Sequence, residues 1–133
     1  MINNEIIKLA SNTTNVGLKN KYSHKISLKN TTCGDKITLE LIADKKKISS
    51  MKYETISCVY CEASASLISR KIKNINLTDL KNDFTILKRI SYKKNIEIPE
   101  RLSDFKKLLN SDNFNRFKCI FLPIDAVLKA LKL

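Results

Sequence analysis

Residues 22–28 alternate, with Tyr22, His24, Ile26 and Leu28 on one side. A second alternation follows, in which Ile37, Leu39 and Leu41 share a face and Lys36, Thr38 and Glu40 oppose them. A period of two marks a strand with one buried face. Residues 47–56 read as a third strand, entered through a turn at Ala43-Asp44-Lys45-Lys46. Three neighbouring strands with short connections predict an antiparallel meander.

The pattern on either side of these strands is helical. Residues 5–10 predict a short amphipathic helix with Ile6, Ile7 and Leu9 apolar, broken over residues 12–17. Residues 62–72 (EASASLISRKI) combine helix formers with small side chains that permit close packing. Residues 77–90 start at Thr78-Asp79, read as a cap, and carry Leu80, Phe84 and Leu87 at helical spacing. Residues 95–100 read as extended ahead of and through Pro99, and residues 102–109 as another short helix. Residues 122–131 close the chain, with Ile124, Val127, Leu128 and Leu131 on one stripe and Pro123 placed in the first turn, where its missing N–H is tolerated. The whole predicts an α+β fold: a three-stranded antiparallel sheet packed on one face against helices.

Composition narrows the class. A chain of 133 residues, 43% hydrophobic, suits one domain spanning residues 1–133 with a modest core. No apolar run approaches the length of a membrane span, and the start, MINNEIIKLASN, lacks the features of a signal peptide. These features predict the cytoplasm, where thiols stay reduced, so the four cysteines point to metal or thiol chemistry before disulfides. The net charge is +12, from 25 Lys+Arg against 13 Asp+Glu. The lysines are scattered, as at Lys45-Lys46-Lys47, Lys93-Lys94 and Lys106-Lys107, and arginines are few. That pattern favours an acidic protein partner over nucleic acid, which would call for clustered arginine and stacking aromatics.

The cysteines sit at element ends. Cys33 follows the first strand, Cys58 follows the third, and Cys119 precedes the last predicted helix. A thiol at a helix N-terminus has a lowered pKa, and Cys58 and Cys119 both have that predicted setting. Three thiolates with the Asp35 carboxylate would complete a tetrahedral shell for a soft ion. Gly34 would then let the backbone turn so that Cys33 and Asp35 aim at one ion. The competing reading is that each cysteine is a small buried hydrophobe and that Asp35 only caps a turn.

Cys33-Gly34-Asp35 ahead of a strand, Cys58 followed by Ala63-Ser64-Ala65-Ser66-Leu67, and Lys118-Cys119 before a final helix resemble the U-type iron–sulfur cluster scaffold family. That family comprises NifU N-terminal, IscU and SufU proteins, and the likeness spans nearly the whole chain. The segment IIKLASNTTNVG is similar to the family's first helix and its Asn-Pro-x-Asn-x-Gly, with Thr13 in place of proline. Arg116-Phe117-Lys118-Cys119 and the long interval after Cys58 resemble the SufU branch.

The resemblance implies a SufE/NifU-like fold and a ligand set of Cys33, Asp35, Cys58 and Cys119. The set would hold zinc or a nascent iron–sulfur cluster. It also implies a cysteine desulfurase as sulfur donor, recipient apoproteins as further partners, and a monomer or weak dimer. The role it implies is that of a non-enzymatic scaffold or a sulfur-transfer partner. The alternative is a zinc-dependent sulfur carrier, with Cys33 and Cys119 as candidate sulfur acceptors. Departures from the family pattern are Ser57 where glycine is usual, the bulky Val59 and Tyr60, and an extra Cys61. Cys58-Val59-Tyr60-Cys61 has the spacing of a metal or redox pair, but the reading favours Cys61 as a core residue. His24 reads as structural or superficial. Lys118 reads as a solvated neighbour whose charge would favour thiolate at Cys119.

Overall fold

The computed structural model describes residues 3–90 and 96–133. In chain order these form α1 (Asn4–Ser11), β1 (His24–Lys29), β2 (Lys36–Ala43), β3 (Ile48–Ile56), α2 (Val59–Lys71) and α3 (Leu77–Lys88). Two 3₁₀ segments follow, Glu100–Lys107 and Ser111–Arg116, and then α4 (Phe117–Leu131). Lys93-Lys94 and the start of the predicted extended segment at Asn95 lie outside the described residues. Residues 96–99 have no regular structure, and Glu100, read with them as extended, already begins the first 3₁₀ segment.

The strands form one antiparallel sheet in the order β1-β2-β3. Ile26 stands opposite Leu39, and Leu39 opposite Tyr53; Leu41 stands opposite Met51. Leu39, Leu41, Met51 and Tyr53 are buried on this face, so alternation carries the apolar side chains toward the helices. The edge of β3 is extended by residues 15–17: Tyr53 donates to the Asn15 carbonyl and receives Gly17 N–H.

Helix α2 is the central helix and packs against α1, α4 and β3. Every residue from 63 to 69 is buried, and a helix enclosed on all sides has no polar face to show. Ala63 and Ala65 allow the neighbours to approach, while burial of Leu67 and Ile68 contributes about 1.5–3 kcal/mol each. The buried serines are satisfied: Ser64 Oγ donates to the Ile120 carbonyl, Ser66 Oγ to that of Asn12, and Ser69 Oγ to that of Ser66.

Several predicted elements are corrected. The cap of α3 is Asn76, whose Oδ1 accepts from Thr78 N–H at 2.8 Å, so Thr78 and Asp79 lie inside the first turn. The segment predicted as a helix over 102–109 is a 3₁₀ segment starting at Glu100. The last helix begins at Phe117 rather than at residue 122, which leaves Pro123 in its second turn. Pro123 has no N–H for the Cys119 carbonyl four residues back. Burial of Phe117, Ile120 and Ile124, with the bond from Ser64, holds the helix across this gap.

Glu40, read from alternation as solvent-facing, is buried. Its Oε1 accepts from the backbone N–H of Lys19 at 2.8 Å and of Asn20 at 3.0 Å, and Lys25 Nζ lies 3.4 Å from Oε2. Burial pushes its pKa up, and these donors more than offset that, so the carboxyl is held below the usual range. One side chain thus pins the β1-leading loop over the outer face of the sheet. Among the described residues no helix is long and apolar enough to cross a membrane.

Candidate metal centre

The turn between β1 and β2 is built by its own backbone. Asn30 N–H donates to the Asp35 carbonyl and Gly34 N–H to the Asn30 carbonyl, both at 2.7 Å. Asn30 Oδ1 also accepts from Thr32 N–H at 3.0 Å, an Asx turn. Gly34 has φ of +76°, a region that side chains disfavour, although a Cβ there would meet nothing within 4 Å. The glycine is therefore required by backbone conformation and not by crowding. The turn leaves Cys33 exposed at the rim and Asp35 buried below it.

Two other elements deliver the remaining thiols. Cys58 is the N-cap residue of α2, half-buried where β3 hands over to the helix. Its backbone N–H donates to Asp35 Oδ1 at 3.1 Å and its Sγ to Oδ2 at 3.4 Å. Asp35 thus satisfies an orphan N–H at the end of α2, which the Cys58 side chain leaves uncapped. Cys119 lies in the first turn of α4, buried, with its Sγ 3.5 Å from Cys33 Sγ. One ligand atom each from Cys33, Asp35 and Cys119 lies within 4.8 Å of the others. Cys58 stands against this trio through its contacts with Asp35 and Cys119.

The protonation pattern follows from that packing. Burial raises the Asp35 pKa, but hydrogen bonds from the Cys119 and Cys33 thiols, and from Cys58 N–H and Sγ, hold it below the usual carboxylate value. Cys119 is pushed up, first by burial and then by the adjacent Asp35 and thiols. This corrects the expectation of a lowered pKa at Cys119: desolvation, the nearby carboxylate and the neighbouring thiols all disfavour the thiolate there. The assembly is a carboxylate surrounded by thiol protons, which a soft cation would displace.

The donor set suits such a cation. Tetrahedral zinc with Zn–S bonds of about 2.3 Å separates two sulfurs by about 3.8 Å, close to the 3.5 Å between Cys33 and Cys119. Cys61, in the first turn of α2, is fully buried in the core and lies outside the group of ligand atoms that converge within 4.8 Å; burial, with smaller contributions from Asp35, Cys58 and Cys33, pushes its thiol up to about 12. The CxxC spacing therefore does not bring Cys61 to the site. His24 begins β1, where its Nδ1 lies 2.8 Å from Ser23 Oγ, apart from the cysteines. Ser57 adopts no positive φ, so no glycine is required there. Tyr60, a bulky departure beside Cys58, is buried with the Arg116 guanidinium 5.9 Å above its ring, a contact the sequence did not signal.

Residues 1–108 match the model of the NifU-like N terminal domain family, and the chain belongs to that family. Cys119 lies beyond the matched residues, so its place at the centre is known from the fold. The chain is 29% identical over 105 residues to the iron-sulfur cluster assembly scaffold protein IscU of Thermotoga maritima, covering 78% of this chain and 73% of that protein. Its fold matches the crystal structure of a NifU-like protein (N-terminal) from Brucella abortus with a TM-score of 0.87, at 23% identity, over 98% of this chain and 91% of the other. A candidate SUF-system iron–sulfur cluster assembly scaffold from Fervidobacterium islandicum matches with a TM-score of 0.78, at 22% identity, over 98% and 96%.

Proposed function

We propose that this protein is an iron–sulfur cluster assembly scaffold that holds its cargo through Cys33, Asp35, Cys58 and Cys119. The observation that carries this reading is the convergence of three thiols and one carboxylate from three separate parts of the chain, in a member of this family. Thiolates bind iron and zinc firmly, and a carboxylate oxygen is the weaker donor to such soft centres. Asp35 is then the ligand that leaves, opening one position for sulfide or for transfer of the cluster.

Sulfur arrives from a cysteine desulfurase persulfide. The Cys33 thiolate attacks the outer sulfur, the donor's S–S bond breaks, and the donor cysteine departs as thiolate. Exposure of Cys33 at the rim supports its role as acceptor over that of the buried Cys119. The same exposure supports a second reading, a zinc-dependent sulfur carrier in which the metal orders the three chain segments. On either reading the protein acts as one domain over residues 1–133, a cytoplasmic monomer or weak dimer that serves recipient apoproteins.

Metal analysis of anaerobically purified protein, followed by reconstitution with ferrous iron and sulfide, tests both. The scaffold reading expects visible cluster absorption that is lost in Cys33→Ser, Cys58→Ser and Cys119→Ser. Stoichiometric zinc with no cluster leaves the carrier; failure to bind either metal removes both readings.

A further inference from the structure

Beside the cysteine rim, a groove of about 310 Å³ runs between the end of β1 and α4. Its apolar surface is supplied by Leu28, Phe121 and Leu122, and its polar surface includes Lys29, Lys118 and Lys129. All three lysines are exposed, and none makes an ion pair among the described residues. The one acid in the groove, Asp125, is already paired with Lys88.

The positive charge is also maintained against local cost. Lys29 stands directly across from Lys36 in the β1–β2 register, at the base of the Cys33 turn. Like charges directly opposite one another on a sheet are destabilising. Three unpaired ammonium groups around an apolar strip complement a segment that carries carboxylates beside an apolar side chain.

We infer that this groove docks an acidic, partly apolar segment of a partner protein. Thr31, at one end of the lining, is two residues from Cys33, and Lys118 adjoins Cys119. A segment bound here holds its parent protein against the cysteine rim. The inference goes beyond the scaffold reading and does not depend on which metal the rim holds. Long-range attraction from the net charge of +12 would speed encounter with such a partner, while the groove fixes where it lands.

The test uses the full chain without added metal and a fluorescein-labelled peptide of alternating Glu and Leu, read by fluorescence anisotropy. A Glu-only peptide of equal charge is the comparison. The groove variant carries Lys29→Glu, Lys118→Glu and Lys129→Glu. A control with the same charge change carries Lys45→Glu, Lys46→Glu and Lys106→Glu, all exposed and away from the groove residues. Melting curves establish that both variants fold. The groove variant is expected to weaken Glu–Leu peptide binding by about tenfold or more, and the control by about twofold or less. The Glu-only peptide is expected to bind wild type more weakly than the Glu–Leu peptide. Equal losses in the two variants would mean non-specific attraction to a basic protein, and equal binding of the two peptides would mean that the apolar strip contributes nothing; either result overturns the inference. So does an absence of measurable binding to wild type at low salt. Because no metal is used, these outcomes are separate from the success or failure of cluster reconstitution.

Discussion

Cys119 Sγ lies 3.5 Å from Cys33 Sγ, although 86 residues separate them. Cys33 stands on the turn between β1 and β2, and Cys119 in the first turn of α4, so their approach depends on how α4 docks beside β1. Asp35 and Cys58 meet in the same way across the β2 and α2 ends.

Asp35→Ala removes the one oxygen donor and leaves three thiols. Zinc is expected to bind more weakly, because water must fill the vacated position, while a reconstituted cluster persists longer. Asp35→Cys is expected to make a closed four-sulfur site that binds tightly and transfers poorly. Chelator competition on wild type and both variants measures this. Equal zinc affinity in all three would reduce Asp35 to the cap of α2.

Acid should weaken the metal-free fold through the same carboxylate. The folded-state pKa of Asp35 is lowered from 3.8, so its stabilising contribution is present above that value and is lost as the pH falls through the lower folded-state value. Thermal melts of wild type and Asp35→Asn are expected to differ at neutral pH and to converge in strong acid. A constant gap across the range would mean that the charge on Asp35 contributes nothing.

Cys61→Ala is expected to retain metal stoichiometry and to lose about 1 kcal/mol of stability, because it opens a small void in the core. In wild type, burial and a pKa of about 12 protect this thiol, so iodoacetamide is expected to label the exposed Cys33 first. Loss of metal from a folded Cys61→Ala protein would bring the CxxC pair back into consideration.

Gly34→Ala is expected to cost about 1–2 kcal/mol, the penalty for a side chain in the left-handed region. Nothing lies within 4 Å of the added Cβ, so Gly34→Asn, which tolerates that region better, should lose less. Urea denaturation distinguishes this from a clash, in which the larger asparagine would be the worse substitution.

Periodicity carried most of the local structure. Ile37, Leu39 and Leu41 mark β2, and Leu80, Phe84 and Leu87 mark α3, because burial on one face imposes a two-residue period on a strand and a longer one on a helix. It failed where a partner came from elsewhere in the chain. Glu40 occupies a polar position of β2, and only the backbone of Lys19 and Asn20 folding over it makes it a buried acceptor. Pro123 argued for a late start to α4. Burial of Phe117 and Ile120, with a hydroxyl from Ser64, sustains the earlier start that puts Cys119 inside the helix.

The candidate site divides along the same line. By itself the sequence determined which groups are available and the local geometry of one corner: soft thiols at element ends, and a carboxylate two residues from Cys33 across a glycine. These follow from residue chemistry and from short-range backbone preference. Only the tertiary structure decided that Cys58 and Cys119 reach that corner, that Cys61 is enclosed in the core outside the converging group, and that burial raises the Cys119 thiol instead of the helix end lowering it. Contacts spanning 23 and 86 residues depend on how the sheet and helices pack, and desolvation depends on everything that surrounds the group, so neither is encoded in a local pattern.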